Sequence, residues 1–385
     1  MRVLIISHYY PPSKSVGAKR VSALKKFLED KGFFVNVLTT NWQGEKDNNA
    51  FYLGKEIGVS IESRQNKVIP QKKKFRINLS LYVRSIDQTL FSNFSYNAVR
   101  FIHKNRDAKY DVIISSYKSS ASVFLGVFAS IIYKTPLIIE FRDLMSNFGR
   151  KKKVFLLDYI DRFIDKRITN FAKEVVVVSP TAKKYAQDFY RRDVNLVFNG
   201  IDKEELKRVS AKKNDNFITI FYSGTLSEHR MLDIICNHIE RLRGEYNIIL
   251  KVASAQNPIE YGGNPIFTEW LGLIPIHDVY KYQSQADFLL MVEGMGEDSV
   301  ENIPAKLYEY LGARKPIMAV CNPNSDIISL LHETKSGSSV IDFYHFHGML
   351  KKTWDLSHDD VQKYTRDFQN TQYINIINNV IVNGY

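Results

Sequence analysis

The stretch that decides the fold is residues 2–39, RVLIISHYYPPSKSVGAKRVSALKKFLEDKGFFVNVLT. It opens with the apolar run RVLIIS at 2–7, passes through a loop, and continues with apolar residues at helical spacing until Gly32. A second apolar run, FFVNVLT, follows at 33–39. Short buried strands on either side of a helix predict a βαβ unit in an open, mostly parallel sheet.

The same alternation of strand and helix continues along the chain in two series. A polar, turn-rich segment at 199–216 separates the series and has the composition of an interdomain linker. The remaining predicted strands lie at 111–116, 136–141, 174–179, 194–199, 217–224, 246–254, 286–294 and 316–321.

The two series predict an α/β protein with two Rossmann-like, doubly wound domains that face a central cleft. The N-terminal domain is expected to span 1–200 and the C-terminal domain 201–360. The tail at 361–385 is expected to form a helix that packs back toward the first domain. A length of 385 residues fits two such domains better than one core.

The charge of the chain is unevenly distributed. Residues 1–200 carry 35 Lys and Arg against 17 Asp and Glu, a net charge of +18. Residues 201–385 carry 18 against 24, a net charge of −6, which gives the chain its net charge of +12. Such a half is expected to face an anionic partner, either nucleic acid, acidic lipid or a phosphorylated substrate. A merely solvated basic surface is the alternative. Nucleic acid is not favoured, because no stacking platform or recognised binding module is present.

The cysteines and the N-terminus indicate a cytoplasmic protein. Cys236 and Cys321 are the two cysteines and have no metal-ligand spacing around them, so neither a disulfide framework nor a structural zinc site is predicted. The N-terminal apolar run breaks at His8, which makes it too short for a cleavable signal.

The first loop and the strand at 136–141 supply candidate residues in the N-terminal domain. Gly17, Lys19 and Arg20 lie at the start of the first helix, where backbone amides and the helix dipole favour an anion. Gly17 is not part of a G-x-G-x-x-G fingerprint, so a dinucleotide dehydrogenase is not favoured. Arg142 and Asp143 directly follow the apolar strand and are expected at the edge of the cleft.

The C-terminal domain also begins with a strand, a glycine loop and a helix. Gly224 in FYSGTLSEHRMLDII allows a close approach of the backbone to a ligand, and Arg230 at the helix start is a candidate to neutralise a phosphate.

Residues 300–318, VENIPAKLYEYLGARKPIM, form the most informative loop-to-helix transition. Pro304 is favoured in a first helical turn, so the helix is predicted to begin there. The N–H groups of Asn302 and Ile303 would then be unpaired and available to a diphosphate, with Lys306 beside them.

Two carboxylates flank this helix start. Glu309, one turn into the helix, is a candidate to accept hydrogen bonds from both hydroxyls of a ribose. Glu301, in the preceding loop, is a candidate to accept one from a sugar hydroxyl. Amides and cations for negative charge, with carboxylates for hydroxyls, together predict a site for a nucleotide sugar.

Four segments taken in order resemble one family: HYYPPSKSVGAKRVSALKKFLEDKGFFVNVLTT, EVVVVSPTAKKYAQDFY, FYSGTLSEHRMLDII and IPAKLYEYLGARKPI. From residue 1 to about residue 340 the chain resembles the GT-B glycosyltransferases, specifically the retaining family 4, also called glycosyl transferases group 1. The resemblance implies a nucleotide-sugar donor site in the C-terminal domain and an acceptor site in the N-terminal domain, near Gly17.

The resemblance also implies roles for individual residues. Glu301 and Glu309 match the E-x7-E pair of the family, with Glu309 on the ribose and Glu301 on the transferred sugar, and Arg230 matches the basic residue on the diphosphate. Where the family has Gly-Arg-Leu, this chain has Gly224 followed by Thr and Leu. The catalytic-loop histidine of the family is replaced by EFRDL, as in relatives that build bacterial surface polysaccharides, and Asp143 is the predicted catalytic residue there.

In such enzymes the leaving diphosphate oxygen helps to deprotonate the incoming hydroxyl on the same face of the sugar, which retains configuration. No Asp-x-Asp sequence occurs in the chain, so neither a metal nor another cofactor is predicted. The leaving-group charge is instead expected to be stabilised by the helix-terminal amides, Arg230 and Lys306.

Two basic amphipathic segments, 71–84 and 149–172, predict adsorption to anionic lipid on the inner face of a bacterial membrane. Their alternative interpretation is a core-facing helix with a solvated side. The expected acceptor is a glycan or a sugar linked to polyprenyl diphosphate. Two further functions stay open: a nucleotide-sugar epimerase of GT-B fold, which needs no acceptor, and a catalytically silent GT-B scaffold.

Overall fold

The computed structural model describes residues 1–57, 85–145, 155–202, 217–354, 356 and 359–382. The predicted membrane segment 71–84, the lysines of 149–154 and most of the predicted linker lie outside the described residues. The chain divides into two compact units. Unit 1 comprises Met1–Phe198 together with Gln369–Tyr385, and unit 2 comprises Asn199–Phe368.

Unit 1 contains a parallel sheet of seven strands in the order β3-β2-β1-β4-β5-β6-β7. Its strands are β1 (Arg2–Ser7), β2 (Phe34–Trp42), β3 (Ala50–Ile57), β4 (Val112–Tyr117), β5 (Leu137–Phe141), β6 (Glu174–Val177) and β7 (Asn195–Leu196). Its helices are α1 (Val16–Asp30), α2 (Asn93–Lys104), α3 (Ser120–Tyr133), α4 (Phe155–Thr169) and α5 (Pro180–Tyr190), with a 3-10 turn at Gln88–Phe91.

Unit 2 contains a parallel sheet of six strands in the order β10-β9-β8-β11-β12-β13. Its strands are β8 (Ile218–Ser223), β9 (Ile248–Ala253), β10 (Thr268–Trp270), β11 (Phe288–Val292), β12 (Ile317–Val320) and β13 (Gly337–Ser339). Its helices are α6 (Asp233–Arg241), α7 (Ile276–Gln285), α8 (Ala305–Ala313), α9 (Asp326–Glu333) and α10 (Phe343–Lys351), with 3-10 turns at Pro258–Tyr261, Glu297–Ser299 and Asp359–Tyr364. The last helix, α11 (Arg366–Val382), begins in unit 2 and continues into unit 1.

Both strand orders are those of doubly wound sheets, so the predicted α/β class with two Rossmann-like domains is confirmed. In unit 1, apolar side chains of β1 and β4 face in both directions, and Leu4 and Ile113 lie in one buried cluster while Val3 and Val112 lie in another. Strands covered on both faces read as continuous apolar runs, which is why the sequence revealed them.

Three strands were not predicted, and each lies at an edge of its sheet. β3 contains a glycine and two charged residues, and its last three residues are exposed. β10 and β13 have three residues each. Short or half-exposed edge strands lack the run of buried β-branched residues on which the prediction depends.

A buried ion pair and its hydrogen bonds join four elements of unit 1, namely α1, β4, β5 and α11. Arg20 of α1 donates from Nε to Glu140 Oε1 at 2.8 Å, and both side chains are almost fully buried. Glu140 also accepts hydrogen bonds from Ser116 Oγ at 2.7 Å and from the hydroxyl of Tyr373 in α11. Burial alone would raise the pKa of Glu140, but the Arg20 charge and these hydrogen bonds outweigh burial and lower that pKa.

Candidate functional site

The candidate site of unit 2 lies where β8 ends and its loop begins. Gly224 has a φ of +144°, and a Cβ built on it would lie 2.9 Å from Lys306 Nζ. A side chain at position 224 would therefore clash with the lysine, and its backbone would be strained at this positive φ. The glycine leaves the room that the Lys306 side chain occupies.

Lys306 is in the first turn of α8, and its ammonium lies 4.5 Å from the centroid of the Tyr222 ring. Burial lowers the pKa of Lys306 to about 8, against the opposing effects of the Glu293 and Glu309 charges. Within the described residues no carboxylate oxygen lies within 4.0 Å of Lys306 Nζ. It is a partly desolvated cation held by an aromatic face instead of by an ion pair.

Arg230 is the second cation of this site. Its Nε and Nη2 donate to Glu293 Oε2 at 3.0 and 2.7 Å, and its own backbone closes a turn on Ser227. Glu293 directly follows β11 and is 8% exposed. Sequence reasoning missed Glu293, although an acidic residue immediately after an apolar strand is the same signal that singled out Asp143.

The start of α8 corrects one part of the prediction. Pro304 is the N-cap residue and not the first helical residue, and the helix begins at Ala305. The Asn302 N–H already donates to Ser299 O at 3.1 Å, so the expectation that it is unpaired is wrong. The Ile303 N–H makes no such bond within the described part of the chain.

The two predicted glutamates flank this helix start. Glu309 is half-buried and lies three residues after Lys306 on α8, where its charge opposes the lowering of the Lys306 pKa by burial. Glu301 is also half-buried, in the loop before the helix. The hydroxyl of Tyr310 lies 3.3 Å from the Ser223 N–H and ties α8 to the end of β8. The structure therefore gathers Gly224, Arg230, Lys306 and Glu309 at the carboxyl edge of one sheet.

The candidate site of unit 1 centres on Arg142. A Cβ built on Gly17 would lie 2.2 Å from Arg142 Nη1, so the guanidinium packs directly against the backbone at the start of α1. Burial lowers the pKa of Arg142, and its Nε has no hydrogen-bond partner within the described residues. A half-buried cation at a helix N-terminus is a place for an anionic group.

The other predicted residues of unit 1 fall into three environments. Asp143 forms an ion pair with Lys118 at the surface. Lys19 is exposed on α1. The prediction that Arg20 meets an acceptor phosphate is wrong, because its guanidinium is buried and also donates to the carbonyl oxygens of Val197 and Phe198.

An aromatic group beside Arg142 was not predicted. Tyr9 stacks on Trp42 with ring centroids 5.8 Å apart, and Tyr9 Cβ lies close to Gly17. His8, at the end of β1, is buried, and burial lowers its pKa to about 4. Its Nδ1 lies 3.0 Å from Thr40 Oγ1, so the neutral imidazole is part of the wall of the site. Among the described residues no group of three potential metal ligands occurs.

Comparison with known proteins gives a family for most of the first unit. Residues 17–205 match the model of Glycosyltransferase Family 4. No curated protein matches the sequence.

Solved structures are similar over the whole chain. The lipopolysaccharide outer core galactosyltransferase WaaB, in its apo form, is 14% identical with a TM-score of 0.64, and the match covers 100% of this chain and 99% of that one. Anabaena Alr3699/HepE, in complex with UDP and glucose, is 12% identical with a TM-score of 0.62, covering 98% and 100%. Sucrose-phosphate synthase from Thermosynechococcus elongatus is 13% identical with a TM-score of 0.62, covering 100% and 97%.

A putative UDP-N-acetylglucosamine 2-epimerase from Listeria monocytogenes is more distant, at 10% identity and a TM-score of 0.55, covering 100% of this chain and 97% of that one. At such identities the likeness shows the fold, which is GT-B.

Replacing Lys306 with methionine is expected to stabilise the protein at pH 7 by about 1–3 kcal/mol. The folded-state pKa, about 8, lies below that of an ordinary lysine. Below pH 8 both the folded and the unfolded chain carry the proton, so the cost of burying the charge is fully present. The cost fades between pH 8 and the unfolded-state pKa, because there the folded lysine is already neutral.

Urea denaturation at pH 7 and pH 10 measures this difference, and Lys281→Met, at an exposed lysine of α7, is the matched control. A Lys306→Met variant that is less stable than the parent at pH 7 would contradict the prediction.

Proposed function

Because residues 17–205 match the model of Glycosyltransferase Family 4 and the fold is GT-B, we propose that the protein is a retaining, metal-independent glycosyltransferase. It transfers a sugar from a nucleotide sugar to a glycan or a polyprenyl-diphosphate-linked acceptor in bacterial surface-polysaccharide synthesis. The observation that carries the proposal is the pair of cations, Arg230 and Lys306, beside Gly224 at the carboxyl edge of the unit 2 sheet.

The donor binds with its diphosphate against these two cations. Lys306 has no ion-pair partner within the described residues, so its charge is available to a phosphate oxygen. The Ile303 N–H adds a backbone donor at the start of α8. Glu309 then accepts from the ribose hydroxyls and Glu301 from a hydroxyl of the transferred sugar, while the cations stabilise the leaving diphosphate.

The acceptor binds to unit 1, where Arg142 holds an anionic group and the Tyr9–Trp42 stack offers an aromatic face. A diphosphate next to the acceptor sugar has the charge that a half-buried guanidinium prefers. In the transfer step the bond between the anomeric carbon and the diphosphate oxygen breaks, and the acceptor hydroxyl gives its proton to that leaving oxygen. The acceptor oxygen bonds to the anomeric carbon on the same face. Asp143 is the proposed catalytic side chain at the acceptor, with its orientation fixed by Lys118.

The enzyme works at the inner surface of the membrane, and the orientation of α4 supports this location. Leu156, Tyr159 and Phe163 lie one helical turn apart on one face, and each is more than half exposed. The aspartates of the same helix point the other way: Asp161 accepts from Ser85 N and Oγ, and Asp165 accepts from the Tyr190 hydroxyl. The helix thus buries carboxylates and exposes apolar rings.

This exposed face, Leu156–Tyr159–Phe163, adjoins basic residues that fit an anionic lipid surface. Arg167 lies 5.3 Å over the Phe163 ring, and the sequence places three lysines at 151–153, directly before the helix. Apolar side chains enter the boundary between headgroups and acyl chains, while lysine and arginine interact with anionic headgroups. No described helix is long and apolar enough to span a bilayer.

The epimerase alternative keeps support from the Listeria neighbour. An epimerase releases an altered nucleotide sugar without an acceptor, whereas the proposed enzyme consumes an acceptor and releases the nucleotide. A catalytically silent scaffold would have lost donor binding or turnover.

The donor site is tested by thermal unfolding with UDP, GDP, ADP, CMP and their common sugars. One nucleotide family is expected to raise the Tm, since a ligand at 100 times its Kd contributes about 2.7 kcal/mol. Glu309→Ala is expected to abolish the shift by removing the ribose contact. Glu297→Ala, at an exposed glutamate, is the control and is expected to leave the shift unchanged. Equal shifts in Glu309→Ala and the parent would contradict the assignment.

The membrane surface is tested by flotation with vesicles of phosphatidylcholine, with and without phosphatidylglycerol. The protein is expected to float with the anionic vesicles. The double variant Leu156→Asp, Phe163→Asp is expected to bind them at least tenfold more weakly, because burying each apolar side chain contributes about 1.5–3 kcal/mol to binding. Phe91→Asp, at another exposed phenylalanine, is the control. A double variant that floats as well as the parent would exclude this face as the membrane contact.

A further inference from the structure

The two carboxylate oxygens of Glu293 have different environments. Oε2 accepts both hydrogen bonds from Arg230. Oε1 is buried and accepts no hydrogen bond from any residue that the structure describes. Buried carboxylate oxygens are normally paired, because an unpaired one retains the full cost of its desolvation. The side chain that carries this oxygen is more than nine-tenths buried.

Among the described residues, no neighbouring donor reaches this oxygen. Arg230 donates to the other oxygen, and the Tyr222 hydroxyl donates to Thr225 O at 2.9 Å. Lys306 contacts the Tyr222 ring, with its Nζ more than 4.0 Å from either oxygen of Glu293. A carboxylate of an ion pair only accepts hydrogen bonds, so the group that completes Oε1 is an O–H or N–H and not a phosphate or carboxylate oxygen.

We propose that Glu293 Oε1 accepts a hydrogen bond from a hydroxyl of the donor's sugar, so that the enzyme selects neutral, hydroxylated sugars over uronic acids and over sugars that lack this hydroxyl. The proposal rests on the proposed function, because it places a nucleotide sugar at this edge of the sheet. Glu293 is thus a specificity residue for the donor.

The position of Glu293 beside the diphosphate cations favours the sugar. In a nucleotide sugar the diphosphate is flanked by the ribose on one side and by the transferred sugar on the other. Glu309 is assigned to the ribose and Glu301 to one hydroxyl of the transferred sugar, which leaves another hydroxyl of that sugar for Glu293. A buried negative charge between Arg230 and Lys306 weakens the attraction for a diphosphate, and a hydrogen bond from a hydroxyl to a charged acceptor offsets this loss only when the sugar is present.

Glu293→Gln is the sharpest variant. It preserves the shape and keeps an oxygen for Arg230, but places an amide NH2 where Oε1 lies, and NH2 donates instead of accepting. Glu297→Gln removes the same charge at an exposed position of the same loop and is the matched control. The probes are UDP, GDP, UDP-glucose and GDP-mannose, with binding measured by isothermal titration calorimetry.

For the nucleotide sugar whose base the protein binds, Glu293→Gln is expected to raise the Kd by about 10- to 100-fold. The nucleoside diphosphate alone is expected to bind as well as before or more tightly, since one negative charge beside its phosphates is gone. Glu297→Gln is expected to leave both unchanged. Among deoxy analogues of the bound sugar, the one that lacks the hydroxyl bound by Glu293 is expected to bind the parent and Glu293→Gln with equal affinity.

An equal loss of affinity for the nucleotide and for the nucleotide sugar would overturn the inference. Glu293 would then be assigned to holding Arg230 or to contacting the ribose. Unchanged binding of the nucleotide sugar would overturn it as well. If the parent protein binds none of these four probes and none of the nucleotides and sugars of the thermal-unfolding panel, the donor assignment of the proposed function fails, and this inference fails with it.

Discussion

The parallel pairing of every strand in each sheet is the constraint on which both candidate sites depend. In a parallel sheet all strands end at the same edge, so residues distant in sequence meet there. Gly224 follows β8 and Glu293 follows β11, and α8 begins beside them with Lys306. In unit 1, Arg142 follows β5 and reaches the start of α1 at Gly17. Glycine at 17 and at 224 gives each cation its room.

Two buried ionic clusters show how differently one kind of interaction is used. In unit 1, Arg20, Glu140 and Tyr373 satisfy one another, and their hydrogen bonds tie α1 and α11 to the sheet. In unit 2, Arg230 and Glu293 are paired, but Glu293 Oε1 has no partner and Lys306 has no ion pair within the described residues. Satisfied networks rigidify a core, whereas a half-satisfied one carries a cost that a ligand removes. The cluster of Arg230, Glu293 and Lys306 in unit 2 is therefore the one suited to binding a ligand.

α4 departs from the usual pattern in the same informative way. A surface helix normally buries its apolar side chains, and α4 does pack Ile164 and Ile168 against the core. It also buries Asp161 and Asp165 completely, while Phe163 is half exposed. Hydrogen bonds to Ser85 and Tyr190 make the buried carboxylates tolerable. From the sequence alone, the segment 149–172 predicted an amphipathic helix without revealing which side faced the protein. Only the partners of the aspartates decide that question.

The sequence was most informative where one residue type has one physical consequence. Runs such as RVLIIS and FLLMV predicted central strands, because strands buried on both faces need continuous apolar residues. Glycine-loop and helix-start patterns also singled out Gly224, Arg230, Lys306 and Glu309, which lie at one edge of the sheet, while their binding roles stay predictions. Arg20 and Asn302 were misjudged because their partners, Glu140 and Ser299, depend on packing that no local pattern reveals. Glu293 was missed because no local pattern shows that its Oε1 accepts no hydrogen bond within the described residues.

Transfer itself is the most direct test of the account. Purified protein would be incubated with labelled nucleotide sugars and with lipid extracts that contain polyprenyl-diphosphate-linked saccharides, and both nucleotide release and label in the lipid fraction would be measured. The account predicts acceptor-dependent release of nucleoside diphosphate from one donor, label in the lipid, and an anomeric configuration unchanged by NMR. Acceptor-independent conversion of the donor to a free epimer, or binding of a donor with no transfer to any acceptor, would contradict it.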